Sequence, residues 1–570
     1  MPSNLVIVYH RQPYEEVVED GKIVFKENKS PNGIVPTLKS FFGRIAEGRG
    51  AWVAWKQVAA KQQEKFDRVI RIEDSYGNYA VSRLPLTAEQ VKSFYHVTSK
   101  EALWPILHSF PWLFRYENAD WNTFREVNWL FAEAAAAQAE DDALVWVHDY
   151  NLWLVPKYLR QIKPSLKIAF FHHTPFPGPD IFNVLPWRTE IVDSLLDCDL
   201  VGFHIPRYSK NFADVARSLR NVDVDAAVPV EDGMSPVGMA LSEPVVPVRL
   251  RHNGRTVNLD AFPVGTNPEI ITELLKGEPS RQIQKTIREE LEGQRLILAV
   301  GRTDYTKGMK ETLQTYERLL ERRPELHGKV KLLLVSVSAA SGMKIYRETQ
   351  REIEGLVGRI NGRFTNLRWS PIFLFSNAIP FDRLIAYYKM ADICLIAPLR
   401  DGLNLVAKEY VAAKQGDPGV LVLSEFTGCA VELPQAVLAN PYSARAMDAA
   451  LDQALDMPEE EMKERMRAMH QNVLHYDVSR WAHHTLERFG EIGEAVGLDH
   501  ACLRFAFDLS AAEIRLCELL VNGHSLSKAA GMLGLSDGTV RQRVKAIFQK
   551  TGTHRQGELV ARLARFSGDC

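Results

Sequence analysis

The sequence lacks most of the marks of specialised protein classes. No apolar stretch approaches the roughly 20 residues that a bilayer-spanning helix needs. The opening MPSNLVIVYHRQP puts a strand-like apolar run before the first basic residues, the reverse of a secretory leader. Together these predict a soluble, cytoplasmic protein. The six cysteines, at positions 198, 394, 429, 502, 517 and 570, contain no C-x-x-C pair and no metal-ligand spacing, so reduced thiols are predicted, with neither a disulfide framework nor a zinc site. Neither sign of charge is in excess: 69 Lys plus Arg stand against 71 Asp plus Glu, a net charge of -2. A surface built as a whole for nucleic acid or anionic membrane is thereby excluded, and any basic patch must be local. There is no internal repeat and no low-complexity tract; Ala134 to Ala137 lie inside a helical pattern of good helix formers.

What is present is a chain of 570 residues with 46% hydrophobic and 25% charged residues, which at roughly 100–200 residues per domain predicts about three domains. Short apolar runs recur as candidate buried strands: LVIVYH, ALVWVHD, KIAFFHH, LVGFHI, LILAVGR, KLLLVSV and DICLIAP. Helical patterns lie between several of them, as over Trp121 to Ala139 and Asp304 to Arg323. Alternating strands and helices predict an α/β fold of two Rossmann-like lobes, each sheet covered on both faces, facing a central cleft. The segment 221–262 breaks the alternation, and FPVGTNPE carries the Pro and Gly of a connection. The predicted boundaries are 1–262 for an N-terminal lobe, 263–478 for a C-terminal lobe, 479–500 for a last helix and linker, and 505–567 for a small all-α domain. In that last part, Ser510 and Glu513 have capping-box spacing, Gly523 is a helix stop, and Ser536 caps a third helix with Val540, Val544, Ile547 and Phe548 on one face. Thr539, Arg541, Gln542, Arg543 and Lys545 are left on the outer face of this helix-turn-helix pattern.

Four motifs carry chemistry. PLRDGLNLVAKEY follows the strand DICLIAP, and a Gly-containing turn into a helix opening near Asn404 aims backbone N–H groups at an anion. Asp401 then falls at the strand's carboxyl end and Glu409 one to two turns into the helix, in reach of a ribose; the plainer alternative is that Asp401 caps the helix. In GRTDYTKGMK, Arg302 and Lys307 flank a turn and could share one phosphate, or be ordinary surface charge. FFHHTPFPGPD ends a strand on His172 and His173 before a proline-stiffened loop, and WVHDYNLW puts His148 and Asp149 at another strand end. Asp149 either orients an acceptor hydroxyl or caps the following helix. All four fall at strand carboxyl ends, two in each lobe, which predicts a single cleft holding a diphosphate-bearing donor and a small acceptor.

PLRDGLNLVAKEYVAA, GRTDYTKG, VHDYNL, HHTPFP and YHVTSKEALWP together resemble the trehalose-6-phosphate synthase family of retaining glycosyltransferases over residues 1–490. The resemblance implies the two-lobed GT-B architecture, with an acceptor lobe over 1–262, a donor lobe over 263–478 and a crossing helix within 479–500 that returns to the first lobe, and no metal or cofactor beyond a nucleotide-sugar co-substrate. LVIVYHRQPYEEV and KSPNGIVPTLKSFF are similar to those family members that move glucose from ADP-glucose to sn-glycerol 3-phosphate for osmolyte synthesis. By the same resemblance Arg302 and Lys307 neutralise the donor diphosphate, and Asp401 holds the donor sugar. Glu409 binds the ribose, Asn404, Leu405 and Val406 supply contacts at the helix opening, His173 lies beside the donor glucose, and Gly33 belongs to a loop over the donor. Arg11, Tyr95, Trp104 and Asp149 match acceptor positions. Arg302, Lys307, Asp149 and His173 are thus the catalytic candidates. One departure concerns the acceptor phosphate: Ala340 stands where the trehalose enzymes carry an arginine, which favours glycerol phosphate over glucose 6-phosphate.

LSAAEIRLCELLVNGHSLSKAAGMLGLSDGTVRQRVKAIFQKTGTHRQGELV resembles the DNA-binding domain of LuxR-type response regulators. From Phe505 to Cys570 there are nine Lys plus Arg and six Asp plus Glu. The resemblance implies DNA as a partner through Thr539, Arg541, Gln542, Arg543 and Lys545; dimerisation or packing on the enzyme is the alternative, and a homo-oligomer remains open. Two other readings of the whole chain are a trehalose-6-phosphate synthase taking glucose 6-phosphate, and a DNA-binding regulator with a transferase-like sensor. Ala340 disfavours the first and the intact Arg302, Lys307, Asp401, Glu409 and His173 the second.

Overall fold

The apolar runs become strands covered on both faces: Leu5, Val6, Ile7 and Val8 are all fully buried, the pattern of a sheet with helices on either side. The computed structural model describes residues 2–20, 22–27, 34–43, 49–230, 234–338, 343–492, 500–521, 526–533 and 535–563. The chain divides into two units, Met1–Leu486 and Glu487–Cys570. In the first unit the described strands are β1 (Ser3–Val8), β2 (Tyr14–Glu19), β3 (Lys22–Glu27), β4 (Gly50–Gln57), β5 (Val69–Asp74), β6 (Gly77–Leu86), β7 (Ala139–His148), β8 (Lys167–His172), β9 (Leu200–Phe203), β10 (Asp223–Pro229), β11 (Val245–His252) and β12 (Arg255–Ala261). After the connector come β13 (Arg295–Thr303), β14 (Val330–Ser338), β15 (Ile372–Phe375), β16 (Ile393–Ile396), β17 (Val420–Ser424) and β18 (Val437–Ala439).

The first sheet runs β10-β11-β12-β9-β8-β7-β1-β4-β6-β5 and the second β15-β14-β13-β16-β17-β18. The second is parallel throughout. The first is parallel only in its middle: β5 against β6, β10 against β11 and β11 against β12 are antiparallel. The segment that broke the alternation is therefore the sheet's antiparallel edge, whose mostly exposed β10 needs no continuous apolar run. The helix expected over Asp304 to Arg323 is shorter. It begins at Met309 and ends at Arg322, after a 3-10 turn at Tyr305–Lys307. The break is at Gly308, whose φ is 66° and where an added Cβ would meet the Ala397 carbonyl oxygen at 1.7 Å; only glycine allows this approach of the β13 loop to the end of β16.

In both sheets the parallel strands deliver their carboxyl ends to one side. β1 leads into Tyr9 to Arg11, β7 into Asp149 and β8 into His173, while β13 carries Arg302 and leads into Asp304, and β16 leads toward Asp401. The lobes meet closely at this edge. A Cβ on Gly402 would lie 2.6 Å from the His173 carbonyl oxygen, and the Tyr208 hydroxyl donates to the Asp401 carbonyl at 3.1 Å. The predicted crossing helix is Val478–Glu491, and it returns to the first lobe. Trp481 stacks on Trp146 with ring centres 5.7 Å apart, and His484 Nε2 lies 2.9 Å from Asp260.

The second unit is helical where described, with helices His500–Phe507, Ala511–Val521, Leu526–Leu533, Asp537–Thr551 and Gln556–Leu563. Both arms of the expected capping box form, Ser510 N to Glu513 Oε2 at 2.7 Å and Glu513 N to Ser510 Oγ at 3.3 Å. Ser536 caps Asp537–Thr551 through the Thr539 N–H, and Val540, Val544 and Ile547 enter its core. Arg541, Gln542 and Lys545 are exposed as expected, whereas Thr539 and Arg543 are half-buried; the Thr539 hydroxyl lies 2.8 Å from Ser536 Oγ. Gly523 lies outside the described residues. Cys198, Cys394, Cys429 and Cys517 are buried and unbridged. Among the described residues no helix is long and apolar enough to cross a membrane.

Candidate active site

The strand ends surround a cavity of about 300 Å³. The expected acceptor residues Arg11, Tyr95, Trp104 and Asp149 line it together with the expected donor residues His173, Arg302, Lys307 and Asp401. Residues from the two ends of the catalytic unit thus share one wall, as Arg11 and Asp401 do.

On the donor side, Lys307 Nζ lies 2.6 Å from Asp401 Oδ2. Asn404 Nδ2 donates to the same oxygen at 3.1 Å, while its Oδ1 accepts from the Ala407 N–H at 3.1 Å. Asn404, not Asp401, is therefore the cap of the helix Leu405–Lys414. Burial works against the Asp401 carboxylate, but Lys307 and Asn404 outweigh it and hold its pKa below the ordinary value. Asp304, fully enclosed, is held down in the same way by Arg302 and Lys307 against burial. The other helix-opening residues, Asn404, Leu405, Val406 and Glu409, are not among those that line this cavity, although Asn404 touches the lining Asp401. Glu409 Oε2 accepts from the Tyr388 hydroxyl at 3.2 Å. Gly33 and Ala340 lie outside the described residues.

On the acceptor side, Trp104 is reached through an unusual element. Lys92–Leu103 winds as a π-helix of 12 residues, its last turn closed by the Trp104 N–H on the Ser99 carbonyl, five residues back. The Arg11 carbonyl is held by Trp52 Nε1 at 2.8 Å. Asp149 has φ 73° and Asn404 φ 79°. Non-glycine residues in such conformations cost ~1–3 kcal/mol each and persist only where their surroundings enforce them. Asp149 Oδ1 accepts from the Tyr150 N–H at 3.0 Å, opening the 3-10 turn Tyr150–Leu152, so it caps a turn and lines the cavity at once.

Burial pushes the Asp149 carboxyl up to about 6, against the backbone donor at Tyr150 and the Lys100 charge. Between about pH 4, where a free aspartate ionises, and about 6, the folded chain keeps a proton that the unfolded chain has released. The stability this contributes is complete below the lower value and is lost as the pH rises through the upper one. Asp149→Asn keeps the acceptor for the Tyr150 N–H and removes the ionisation. It is expected to stabilise the chain at pH 8 relative to pH 4 by ~3 kcal/mol, read as a pH-dependent difference in urea unfolding, while lowering activity. Equal stability shifts at both pH values would contradict the burial of this charge.

A ring of histidines backs the wall. His148 Nδ1 and His173 Nε2 are 3.1 Å apart, so one ring donates and the other accepts. Burial pushes both imidazoles well below their usual value and keeps them neutral. Sequence reasoning missed Lys100, which lines the cavity, and Asp304. Lys100 lies inside a stretch without helical or strand periodicity, whereas Asp304, next to the Thr303 strand end, carried a positional signal that could have found it.

Two Rossmann-like lobes joined along one edge, with cations and carboxylates from both sets of strand ends around a shared cavity, define a glycosyltransferase of the GT-B class. The chain belongs to Glycosyltransferase family 20, whose profile matches residues 3–491. Over 486 residues, 85% of this chain and 97% of the relative, it is 58% identical to the glucosylglycerol-phosphate synthase of Synechocystis sp.. A trehalose-6-phosphate synthase of Mycobacterium sp. is 38% identical over 492 residues, 86% of this chain and 95% of the relative. A solved trehalose-6-phosphate structure from E. coli bound with UDP-2-fluoro glucose superposes with a TM-score of 0.74 at 28% identity, covering 86% of this chain and 99% of that one.

Proposed function

We propose that this glycosyltransferase moves glucose, with retention of configuration, from ADP-glucose to the hydroxyl of sn-glycerol 3-phosphate, forming the phosphorylated precursor of a glucosylglycerol osmolyte. The observation that carries the reading is one small cavity lined by Arg11, Lys100, Arg302 and Lys307 together with Asp149 and Asp401, with 58% identity to a glucosylglycerol-phosphate synthase in support. The leaving diphosphate departs toward Arg302 and Lys307, and its oxygen takes the proton of the acceptor hydroxyl attacking the same face. Asp149, ionised above about pH 6, accepts a hydrogen bond from the acceptor. Purified protein should convert ADP-glucose and sn-glycerol 3-phosphate in preference to glucose 6-phosphate when both acceptors are assayed with ADP-, UDP- and GDP-glucose. A preference for glucose 6-phosphate would make it a trehalose-6-phosphate synthase instead.

A second role is favoured by the helix Asp537–Thr551, which exposes Arg541, Gln542 and Lys545 beside one another. We infer that it is the recognition helix of a LuxR-type helix-turn-helix that contacts duplex DNA. Binding of the full chain to duplex DNA should weaken steeply with added salt and be reduced in Arg541→Ala. Binding to DNA that is absent at low salt, or unchanged in the variant, would leave the module a packing or dimerisation element.

A further inference from the structure

The cavity holds two cations beyond the pair assigned to the donor diphosphate. Four cations line it, Arg11, Lys100, Arg302 and Lys307, against two carboxylates, Asp149 and Asp401. Lys307 and Asp401 are already paired at 2.6 Å. When a leaving diphosphate claims Arg302 and Lys307, Arg11 and Lys100 remain at the end walled by Tyr95 and Trp104. Among the described residues Lys100 has no carboxylate oxygen within 4.0 Å. Its ammonium sits 3.8 Å from the Trp104 ring centre and 5.8 Å from that of Tyr95. The π-helix produces this alignment, because its i to i+5 winding brings Tyr95 and Lys100 to one side. In an α-helix, at about 100° per residue, they would point ~140° apart.

The groups facing this ammonium come from both lobes. Arg11 and His10 follow β1, Asp149 follows β7, Arg302 and Asp304 come from the end of β13, and Tyr95 and His96 share its own helix. Burial, with Arg302 and Arg11 adding repulsion against the pull of Asp304 and Asp149, brings Lys100 down to about 7. A half-buried ammonium with no carboxylate oxygen within 4.0 Å among the described residues is left for an incoming anion to compensate. A phosphate monoester, with about -1.5 to -2 charge near neutral pH, suits the pair Arg11 and Lys100 that the leaving diphosphate does not claim.

We propose that Lys100, together with Arg11, binds the phosphate of the acceptor and makes this site select a phosphorylated acceptor over its unphosphorylated alcohol. The inference rests on the transfer proposed above and deepens it. It also accounts for a phosphate-binding acceptor site in a chain with Ala340 in place of the arginine of the trehalose enzymes.

The test is steady-state kinetics of wild type, Lys100→Met and Lys100→Arg with glycerol 3-phosphate, glycerol and glucose 6-phosphate across pH 6 to 9. Lys100→Met keeps the apolar stem over Trp104 and should raise KM for the phosphorylated acceptor by about tenfold to a hundredfold. KM for the nucleotide sugar should stay within about twofold, since hydrogen bonds to the acceptor phosphate contribute little to donor binding. In wild type kcat/KM should fall above about pH 7, following Lys100. That limb should disappear in Lys100→Met and move to higher pH in Lys100→Arg. Unchanged acceptor KM in Lys100→Met, parallel losses for both substrates, or an alkaline limb that survives the substitution would each overturn the proposal. If wild type prefers glucose 6-phosphate, the glycerol reading fails while the Lys100 effect is still read on that acceptor. A wild type that uses glycerol as well as its phosphate overturns the Lys100 inference.

Discussion

Arg302→Ala is expected to lower turnover by about 10²–10³-fold with the fold intact, the loss typical of removing one preorganised donor from developing charge. A retaining transfer without a protein nucleophile concentrates its difficulty in the departure of the nucleoside diphosphate. Arg302 and Lys307 are the cations from the second lobe that line the cavity. The two variants should differ in kind. Arg302 lies with its guanidinium carbon 5.9 Å from the Trp104 ring centre, and Arg302→Lys, which keeps the charge and loses the fork, should recover part of the rate. Lys307→Ala removes in addition the partner of Asp401 at 2.6 Å, leaving a buried carboxylate supported by Asn404 at 3.1 Å. Its pKa should rise and donor KM should increase along with the fall in kcat. Turnover numbers with unfolding curves check both. Near-normal rates in either variant would remove these residues from the chemistry.

The largest expected loss of stability follows Lys408→Met. Lys408 lies in the helix Leu405–Lys414, and its Nζ is 2.7 Å from Glu432 Oε1 and donates to the Val264 carbonyl at 3.0 Å. The two side chains are 1% and 2% exposed, and Val264 belongs to the connector between the lobes, so the pair fastens that connector to the donor lobe. Burial pushes the Glu432 carboxyl up even with Lys408 beside it, and its other oxygen has no hydrogen-bond partner among the described residues. Removing the ammonium strands this group, at a cost of about 3–5 kcal/mol. The sign of the pH effect is set by the same burial. In the variant the folded pKa of Glu432 rises further above its unfolded value, so the deficit should be small in acid and grow as the pH rises through neutral. Lys408→Met combined with Glu432→Leu should recover most of the loss, because an apolar pair replaces a stranded charge. Urea unfolding of the three chains at pH 5 and pH 8 measures this; a single variant as stable as the native chain would show that water reaches the pair.

How much of this was legible depends on the range of the interactions involved. GRTDYTKG, VHDYNL, HHTPFP and PLRDGLN each announce a strand end followed by a turn, and the structure puts Arg302, Lys307, Asp149, His173 and Asp401 around one cavity. The helix caps at Ser510 and Ser536 were equally local and form as their spacing implied. Lys100 was hidden because KSFYHVTSKEAL has no periodicity that reveals a π-helix. Glu409 is expected at the ribose from its helix position; what local spacing could not bring into view is the hydrogen bond it accepts from Tyr388, on a neighbouring helix.

The sequence by itself determined that buried parallel strands alternate with helices, that the chemistry sits at their carboxyl ends, and that a short helical unit follows. These are consequences of hydrophobic patterning, glycine and proline placement, and capping, all of which act within a few residues. Only the tertiary structure decided which charges face each other. It joined Lys307 to Asp401 across 94 residues, set Lys408 on Glu432 in the interior, and left Lys100 on the cavity wall with no carboxylate within 4.0 Å among the described residues. The physical reason is that burial and Coulomb interactions depend on distance through the folded molecule, and the same ammonium that would be ordinary on a surface becomes a poised binding group inside a cavity.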